Sequence, residues 1–271
     1  MRDPPAPALP TLAASGRMGS WNGTPAAPNL WVAVCSREGK LVQRSMEIEV
    51  DTKDAAALSD AELAEMADIC TDGPAGFDLG LISKQAQEWV LVTRAWRKGE
   101  LVGFAFCTLE RIGGTPSLLV GLASVSPAED CEKVLCGLLG DQFRRALLAF
   151  PDEDVLLGAR LGDSGAFRAF AGLTEIVPRI DHKPTGEERA WGRRLAKRFG
   201  ADGRIDDRRF VISGTGSASP VLDYAPPSDP GGESALDCFF EAIDRNRGDC
   251  LVAFGWAMAE DLADGKLPPL S

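Results

Sequence analysis

His182 and Glu110 are the side chains whose chemistry best suits them to accept a proton from a substrate. His182 is the only histidine of the chain and has the one side chain whose ordinary pKa lies near neutrality. It stands in a loop bounded by Pro178 and Pro184, where a lone histidine is typical of an exposed position. Glu110 follows a predicted strand and could serve as a base toward an amine, although an exposed strand end is the simpler interpretation. The sequence therefore assigns no catalytic residue.

The cysteines favour packing over chemistry. There are seven of them beside the single histidine, and no two stand in a Cys-x-x-Cys spacing, which argues against a zinc site and for a reducing compartment. Cys131 and Cys136 lie near a predicted helix N-terminus, which lowers the pKa of a thiol, but the neighbouring acids oppose that effect. We expect structural cysteines and no metal.

Charge and hydropathy narrow the possible classes of partner. The formal net charge of −11 argues against a nucleic-acid-binding protein, which needs a basic face to displace counterions. No stretch approaches the roughly 20 apolar residues needed to cross a bilayer, and the N-terminus lacks the apolar segment of a secretory signal. These features predict a soluble, cytoplasmic protein, and they do not indicate its oligomeric state.

One segment is basic although the chain as a whole is acidic. Residues 187–199 predict an amphipathic helix with acids at its start and cations at its end, which suits the helix dipole. An amphipathic helix with a solvated basic face is the favoured interpretation. The alternative is a docking face for a phosphorylated ligand or an acidic partner.

The hydrophobic pattern predicts an α/β domain at residues 41–213, with a mixed, largely antiparallel sheet flanked by helices. Residues 1–40 are rich in Pro, Ala, Gly and Ser and predict a disordered tail. A linker at residues 214–234 and a helical C-terminal extension at residues 235–271 follow, the latter built from helices at 236–243 and 251–262. The predicted strands are 46–50, 89–96, 101–109, 117–125, 155–161 and 208–213, and the main helices are 58–70, 129–150, 164–173 and 187–199.

The order strand, helix, three meandering strands, helix, strand, helix, strand resembles the GNAT superfamily of N-acetyltransferases over about 170 residues. A second local match is Asp163-Ser-Gly-Ala166, followed by Phe170 and Gly172-Leu173, which is similar to the Asn-x-x-Ala-x-x-x-Tyr pattern and Gly-Phe pair of that superfamily. The resemblance implies that acetyl-CoA lies in a V-shaped opening between the fourth strand, residues 118–125, and the fifth. Its pantetheine arm would bond to the fourth strand and its pyrophosphate would rest on the helix at 129–150.

By this resemblance the expected cofactor-binding residues are Ala123, Ser124, Val125, Ser126, Asp163 and Phe170. Several of them have a structural alternative. Asp163 is favoured as a helix N-cap, and Ser124 and Ser126 are equally plausible as polar residues at a strand end.

Two departures from the superfamily pattern bear on function. Residues 126–133 lack the glycines and the arginine of the phosphate loop and place Glu129, Asp130 and Glu132 there instead. Phe170 replaces the tyrosine that serves the superfamily as general acid, while the only tyrosine of the chain, Tyr224, falls in the predicted linker. The leading interpretation is a divergent GNAT-type N-acyltransferase that moves an acetyl group from acetyl-CoA to an unknown small-molecule or protein amine. The alternative is a non-catalytic GNAT-like domain that binds a ligand or a protein.

Overall fold

A computed structural model describes residues 48–71, 73, 75–224 and 234–269. Within these residues one mixed sheet of ten strands forms the centre of the molecule. Its strands are β1 (Glu49–Asp54), β2 (Leu91–Arg97), β3 (Glu100–Ile112), β4 (Thr115–Val125), β5 (Val155–Leu161), β6 (Thr174–Val177), β7 (Ile205–Asp206), β8 (Val211–Ile212), β9 (Leu222–Asp223) and β10 (Cys250–Ala257). The predicted tail at residues 1–40 lies outside the described residues.

Five α-helices accompany the sheet in the described part of the chain: α1 (Asp60–Thr71), α2 (Leu79–Glu88), α3 (Cys131–Ala149), α4 (Gly186–Arg198) and α5 (Ala259–Ala263). Helix α3 covers one face, where its Val134 and Leu138 pack closely on Gly103 of β3. Helix α4 packs Leu195 on Gly158 of β5. None of the described helices combines the length and the apolar character required to cross a membrane.

The predicted meander is confirmed. Strands β2, β3 and β4 pair antiparallel in sequence order. Both turns use residues with positive φ, Lys98 and Gly99 in the first and Gly113 and Gly114 in the second, which matches the twist of the flanking strands. The predicted crossover is confirmed as well, since α3 leads from β4 into β5, and residues 117–120 pair in parallel with residues 156–159.

The predicted C-terminal helix at residues 251–262 is wrong. Cys250–Ala257 is strand β10, which pairs antiparallel with β5 on one side and with β8 and β6 on the other. The run Cys-Leu-Val-Ala-Phe-Gly-Trp-Ala is apolar throughout, and such a run fits a strand buried on both faces as well as a buried helix. The sheet therefore crosses the predicted boundary at residue 213, since β9 and β10 both belong to it.

Other differences are smaller. The sequence pattern missed α2, and the predicted helix at 164–173 is a 3₁₀ helix, Ser164–Phe170. The predicted strand at 208–213 shortens to β8, and the predicted helix at 236–243 is a 3₁₀ helix at Ala235–Phe239. The predicted linker contains a strand, β9, whose position decides the nature of the site described next.

Candidate functional site

The candidate site is the place where β4 and β5 separate. Their parallel pairing ends at Val120 and Ala159, and the next residue of β4, Gly121, is a bulge without a partner on β3. A Cβ at Gly121 would lie 1.9 Å from the Trp89 ring, so only glycine fits there. The buried Arg160 donates to the Gly121 carbonyl oxygen at 2.9 Å, and burial lowers the pKa of this guanidinium to about 10. A bulge redirects a strand, and here it starts the divergence.

Strand β9 fills the gap that this divergence opens. It runs parallel to both neighbours, with Ala123 opposite Leu222 and Ser124 opposite Asp223 on the β4 side, and with Leu161 opposite Leu222 on the β5 side. The amide of Ala123 donates to the Val221 carbonyl oxygen at 3.2 Å. Polar backbone groups of β4 are thus bonded to the chain itself at the position where the resemblance places the pantetheine arm.

The side chains of residues 221–224 are anchored on both faces of the sheet. Leu222 and Tyr224 are each 1% exposed. The Tyr224 hydroxyl lies 3.6 Å from the Sγ of Cys131, the first residue of α3, and burial raises the pKa of this phenol. The segment is therefore packed as core, and it reaches the start of the helix where the resemblance places the pyrophosphate.

Asp223 is the buried carboxyl of the site. Its Oδ2 accepts a hydrogen bond from the Ala75 amide at 3.2 Å, and a Cβ at Gly73 would approach that oxygen to 2.6 Å. Burial raises the pKa of Asp223 to about 6, and the neighbouring Asp163 adds to that effect while Arg245 opposes it. The group changes charge close to neutrality, which is uncommon for an aspartate.

The turn before α3 offers no open cradle for a pyrophosphate among the amides whose partners are known. The amide of Ser126 donates to Val102 at 2.9 Å, that of Cys131 to Ala128 at 3.1 Å, and those of Lys133 and Val134 to Asp130 at 2.9 and 3.2 Å. The acids of this turn are paired as well, since Asp130 bonds Arg97 at 3.0 Å and Glu132 contacts Arg168. In this conformation β9 occupies the gap beside β4, so backbone groups that the resemblance assigns to the pantetheine arm are already bonded within the chain.

The six predicted cofactor-binding residues separate into two groups. Ala123, Ser124 and Asp163 lie around β9. Asp163 caps the 3₁₀ helix by accepting from the Ala166 amide at 3.2 Å, as expected, and burial raises the pKa of its carboxyl.

The other three make different contacts. Val125 pairs with Gly103 on the far side of β4, and the amide of Ser126 is bonded to β3. Phe170 is fully buried beside Phe167, with ring centroids 6.1 Å apart. The sequence pattern missed Asp223 and Arg245, and it noted Tyr224 only as part of a linker.

The other candidate groups are bonded to neighbouring side chains. Glu110 accepts from the Arg198 Nε at 2.5 Å, and His182 lies 2.8 Å from a Glu188 carboxylate oxygen. The basic helix 187–199 is confirmed as α4, with Trp191 and Leu195 buried. Its cations are partly paired with acids of other elements, as the favoured interpretation expects of a structural helix.

A cavity of about 230 Å³ lies beside β9. The carboxyls of Asp163, Asp223 and Asp249 line it together with Arg245, while Phe77 and Val221 supply apolar walls. Arg247 pairs with Asp249 at 2.5 Å, and Arg245 lies 3.9 Å from Asp163. We call this the acidic cavity. Tyr224 lines a separate cavity on the side of Glu132 and Arg168, so adjacent residues of the segment 221–224 face different spaces.

The fold class is defined by this arrangement: a mixed, mostly antiparallel sheet with β4 and β5 diverging and helices on its faces, the GNAT-like fold that the sequence resemblance implied. A GNAT family acetyltransferase from Brucella melitensis, solved in complex with acetyl-CoA, is similar at 19% identity over 48% of this chain and 84% of its own, with a TM-score of 0.34. A GNAT family acetyltransferase from Bacillus cereus is similar at 16% identity over 49% and 90%, with a TM-score of 0.34.

An aminoglycoside 6'-N-acetyltransferase from Enterococcus faecium is similar at 14% identity over 43% of this chain and 64% of its own, again with a TM-score of 0.34. No protein-family model matches the sequence, and no curated protein matches it.

Proposed function

We propose that this chain is a non-catalytic GNAT-like binding module whose ligand is a small, positively charged molecule. The observation that supports this proposal above all others is the pairing of β9 with both β4 and β5. A gap that already contains a strand of the same chain has no room for the arm of a cofactor that would use the same backbone groups. The module retains the GNAT-like scaffold without the opening that acetyl transfer requires.

Energetics support this assignment. Displacing β9 would expose Leu222 and Tyr224, and burial of two such side chains contributes about 4 kcal/mol. A competitor for the gap would lose about a thousandfold in affinity for that reason alone. It would also have to break the internal hydrogen bonds of the turn before α3. Phe170, which stands where the superfamily has a tyrosine, offers no hydroxyl to protonate a thiolate.

The acidic cavity indicates the ligand class. Three carboxyls and Arg245 line this small cavity, and Arg247 already neutralises the carboxyl of Asp249. The other two carboxyls together carry more negative charge than Arg245 offsets. An ammonium group bound beside Asp223 would favour the charged form of that carboxyl and offset its burial. The apolar walls of Phe77 and Val221 suit a short alkyl chain.

Calorimetric titration of the full chain tests both parts of the proposal. Butylammonium is expected to bind, the uncharged 1-butanol is not, and Asp223→Asn should weaken butylammonium binding at least tenfold. Acetyl-CoA and desulfo-CoA should give no heat of binding at about 1 mM. A Kd of about 1 mM corresponds to a binding free energy of about −4 kcal/mol. Acetyl-CoA binding to the unaltered chain at that concentration would contradict the proposal.

An acetyltransferase held closed by its own strand is the second candidate, and the separation of β4 and β5 beyond Val120 favours it. Leu222→Asp distinguishes the two candidates, because a buried aspartate should expel β9 from the gap. If the chain is a binding module, the variant still does not bind acetyl-CoA, since the amides of the turn before α3 stay bonded within the chain. If the variant gains acetyl-CoA binding and acetylates an amine, the second candidate is correct. Leu148→Asp, at a leucine 72% exposed on α3, is the matched control.

A further inference from the structure

A second cavity is lined mainly by residues that lie between β6 and β10 in the sequence, and no residue of β9 lines it. It has a volume of about 300 Å³ and is formed by the end of β6, the loop before α4, the β7–β8 hairpin and the residues around the 3₁₀ helix Ala235–Phe239. Among the described residues, its basic side chains are Arg179, His182, Arg208 and Arg209, and Glu241 is its one acid. We call it the arginine cavity.

Arg208 and Arg209 are the unusual members of this set. Both side chains are exposed, and within the described residues neither guanidinium takes part in an ion pair or a side-chain hydrogen bond. Nearby arginines are engaged: Arg193 contacts Asp207, Arg198 bonds Glu110, and Arg204 donates to Ser213 and Gly200. In a chain with 40 acidic and 29 basic side chains, two adjacent arginines without an acid partner are available to bind an anion from outside the chain.

The hairpin holds these arginines in a fixed position. Phe210, the next residue, adopts a φ of 59°, a left-handed conformation that a bulky residue takes only when its surroundings demand it. Its ring is fully buried against Phe254, with centroids 6.1 Å apart. Its carbonyl oxygen accepts from the Val252 amide of β10 at 2.7 Å. The backbone that presents Arg208 and Arg209 is thus tied to the central sheet.

The loop before α4 forms another wall of the cavity and presents a third arginine. The Nη2 of Arg179 lies 3.0 Å from one Glu188 oxygen, and His182 lies 2.8 Å from the other. Burial opposes ionisation of Glu188, but hydrogen bonds from Thr185 and His182 prevail and lower its pKa. This carboxylate orients Arg179 and leaves donors of its planar guanidinium for a further partner. An anion between the two walls would meet cationic side chains from both sides.

The remaining lining is apolar. Val177, Pro178, Val211, Phe239 and Ala242 contribute it, with Val177 and Pro178 buried. Guanidinium groups bind phosphate and carboxylate through paired N–H donors, and an apolar wall buries the body of a ligand. We propose that the arginine cavity is a second binding site, specific for a small organic phosphate or carboxylate with an apolar or aromatic body.

Cys238 provides the means to test this. Its thiol is exposed and lines the cavity, while Cys70, Cys107, Cys131 and Cys250 are buried and Cys136 is half-buried. Alkylation of the full chain with iodoacetamide, followed by mass analysis of the peptide containing Cys238, therefore reports on this cavity. A ligand bound between the walls will shield the thiol.

Phenyl phosphate and benzoate are the two anionic probes, and they distinguish a phosphate from a carboxylate head group. We expect at least one of them to slow Cys238 alkylation fivefold or more, inorganic phosphate to protect less, and the uncharged benzyl alcohol not to protect. The double variant Arg208→Gln/Arg209→Gln should abolish the protection. Arg144→Gln, at an exposed arginine of α3 paired with Asp141, should leave it unchanged.

Three results would overturn the proposal: no protection by either probe, equal protection by benzyl alcohol, or undiminished protection in the double variant. The site is independent of β9 and of the acidic cavity, so it stands or falls separately from the proposed function.

Discussion

The acidic cavity and the arginine cavity have opposite charges and opposite relations to the sheet. The acidic cavity lies where β4 and β5 diverge, and its central carboxyl, Asp223, is 2% exposed. The arginine cavity lies at the far edge beside β8, and its unpaired cations are exposed. The first site is therefore coupled to the stability of the core, whereas the second is built on the surface.

Both cavities depend on residues 178–249, the stretch between β6 and β10. This stretch contributes β9, Arg245 and Asp249 to one cavity and Arg208, Arg209 and Cys238 to the other. The strands before it supply the scaffold and only a few of the lining groups. Most strands of the scaffold and most residues that line the two cavities therefore lie in different parts of the sequence.

The largest effect is expected from Leu222→Asp, which puts a charge into the filled gap. Loss of the apolar contacts and burial of an unpaired carboxylate should lower the free energy of unfolding by about 4 kcal/mol. Urea denaturation followed by circular dichroism measures it, with Leu148→Asp as the exposed control. If the free energy of unfolding decreases by less than about 1 kcal/mol, β9 is not part of the core.

The second largest effect is expected from Asp223 in the acidic cavity, because its buried carboxyl makes the stability of the fold depend on pH. The folded-state pKa of Asp223 is raised from 3.8 to about 6, so the folded state holds this proton more tightly than the unfolded state. The resulting stability is fully present below about pH 4 and is lost as the pH rises through about 6. The loss amounts to about 3 kcal/mol at most, at about 1.4 kcal/mol for each pKa unit.

Asp223→Asn should remove this loss between pH 4 and 7, as measured by urea unfolding at a series of pH values. Asp68→Asn, at an exposed position on α1, should keep the slope of the unaltered chain. Identical slopes for the Asp223→Asn variant and the unaltered chain would show that Asp223 is not the responsible group.

The smallest effect is expected at the arginine cavity. Arg208→Gln/Arg209→Gln removes two exposed charges without an acid partner, so the free energy of unfolding should change by no more than about 0.5 kcal/mol. A larger decrease in the free energy of unfolding, measured by urea denaturation, would show that these arginines stabilise the fold. The two cavities would then not differ in their relation to stability.

Local patterns in the sequence were sufficient for the meander, for α3 and for β5. Alternating or continuous apolar runs and glycine turns define these elements without help from distant residues. Strand β10 was mistaken for a helix because a run that is buried on both faces has no period to distinguish the two. Strand β9 could not be predicted, since two residues pair there only because β4 and β5 diverge around them.

The candidate site was predictable to the same degree. Ala123, Ser124 and Asp163 were placed at the gap by resemblance, and the structure finds them around β9. The sequence pattern does not single out Asp223 and Tyr224, because the short run Val-Leu-Asp-Tyr after Pro220 has no clear strand period. Their roles arise from contacts with Ala75 and Cys131, which lie far from them in sequence.

The position of β9 has a consequence for the order in which the chain folds. Its pairs with β4 join residues that are far apart in sequence, whereas the β2–β3–β4 meander closes through two short turns. Contacts that close long loops form late, so we expect β9 to insert after β4 and β5 are in place. Substitutions in β9 should then accelerate unfolding and leave the refolding rate nearly unchanged.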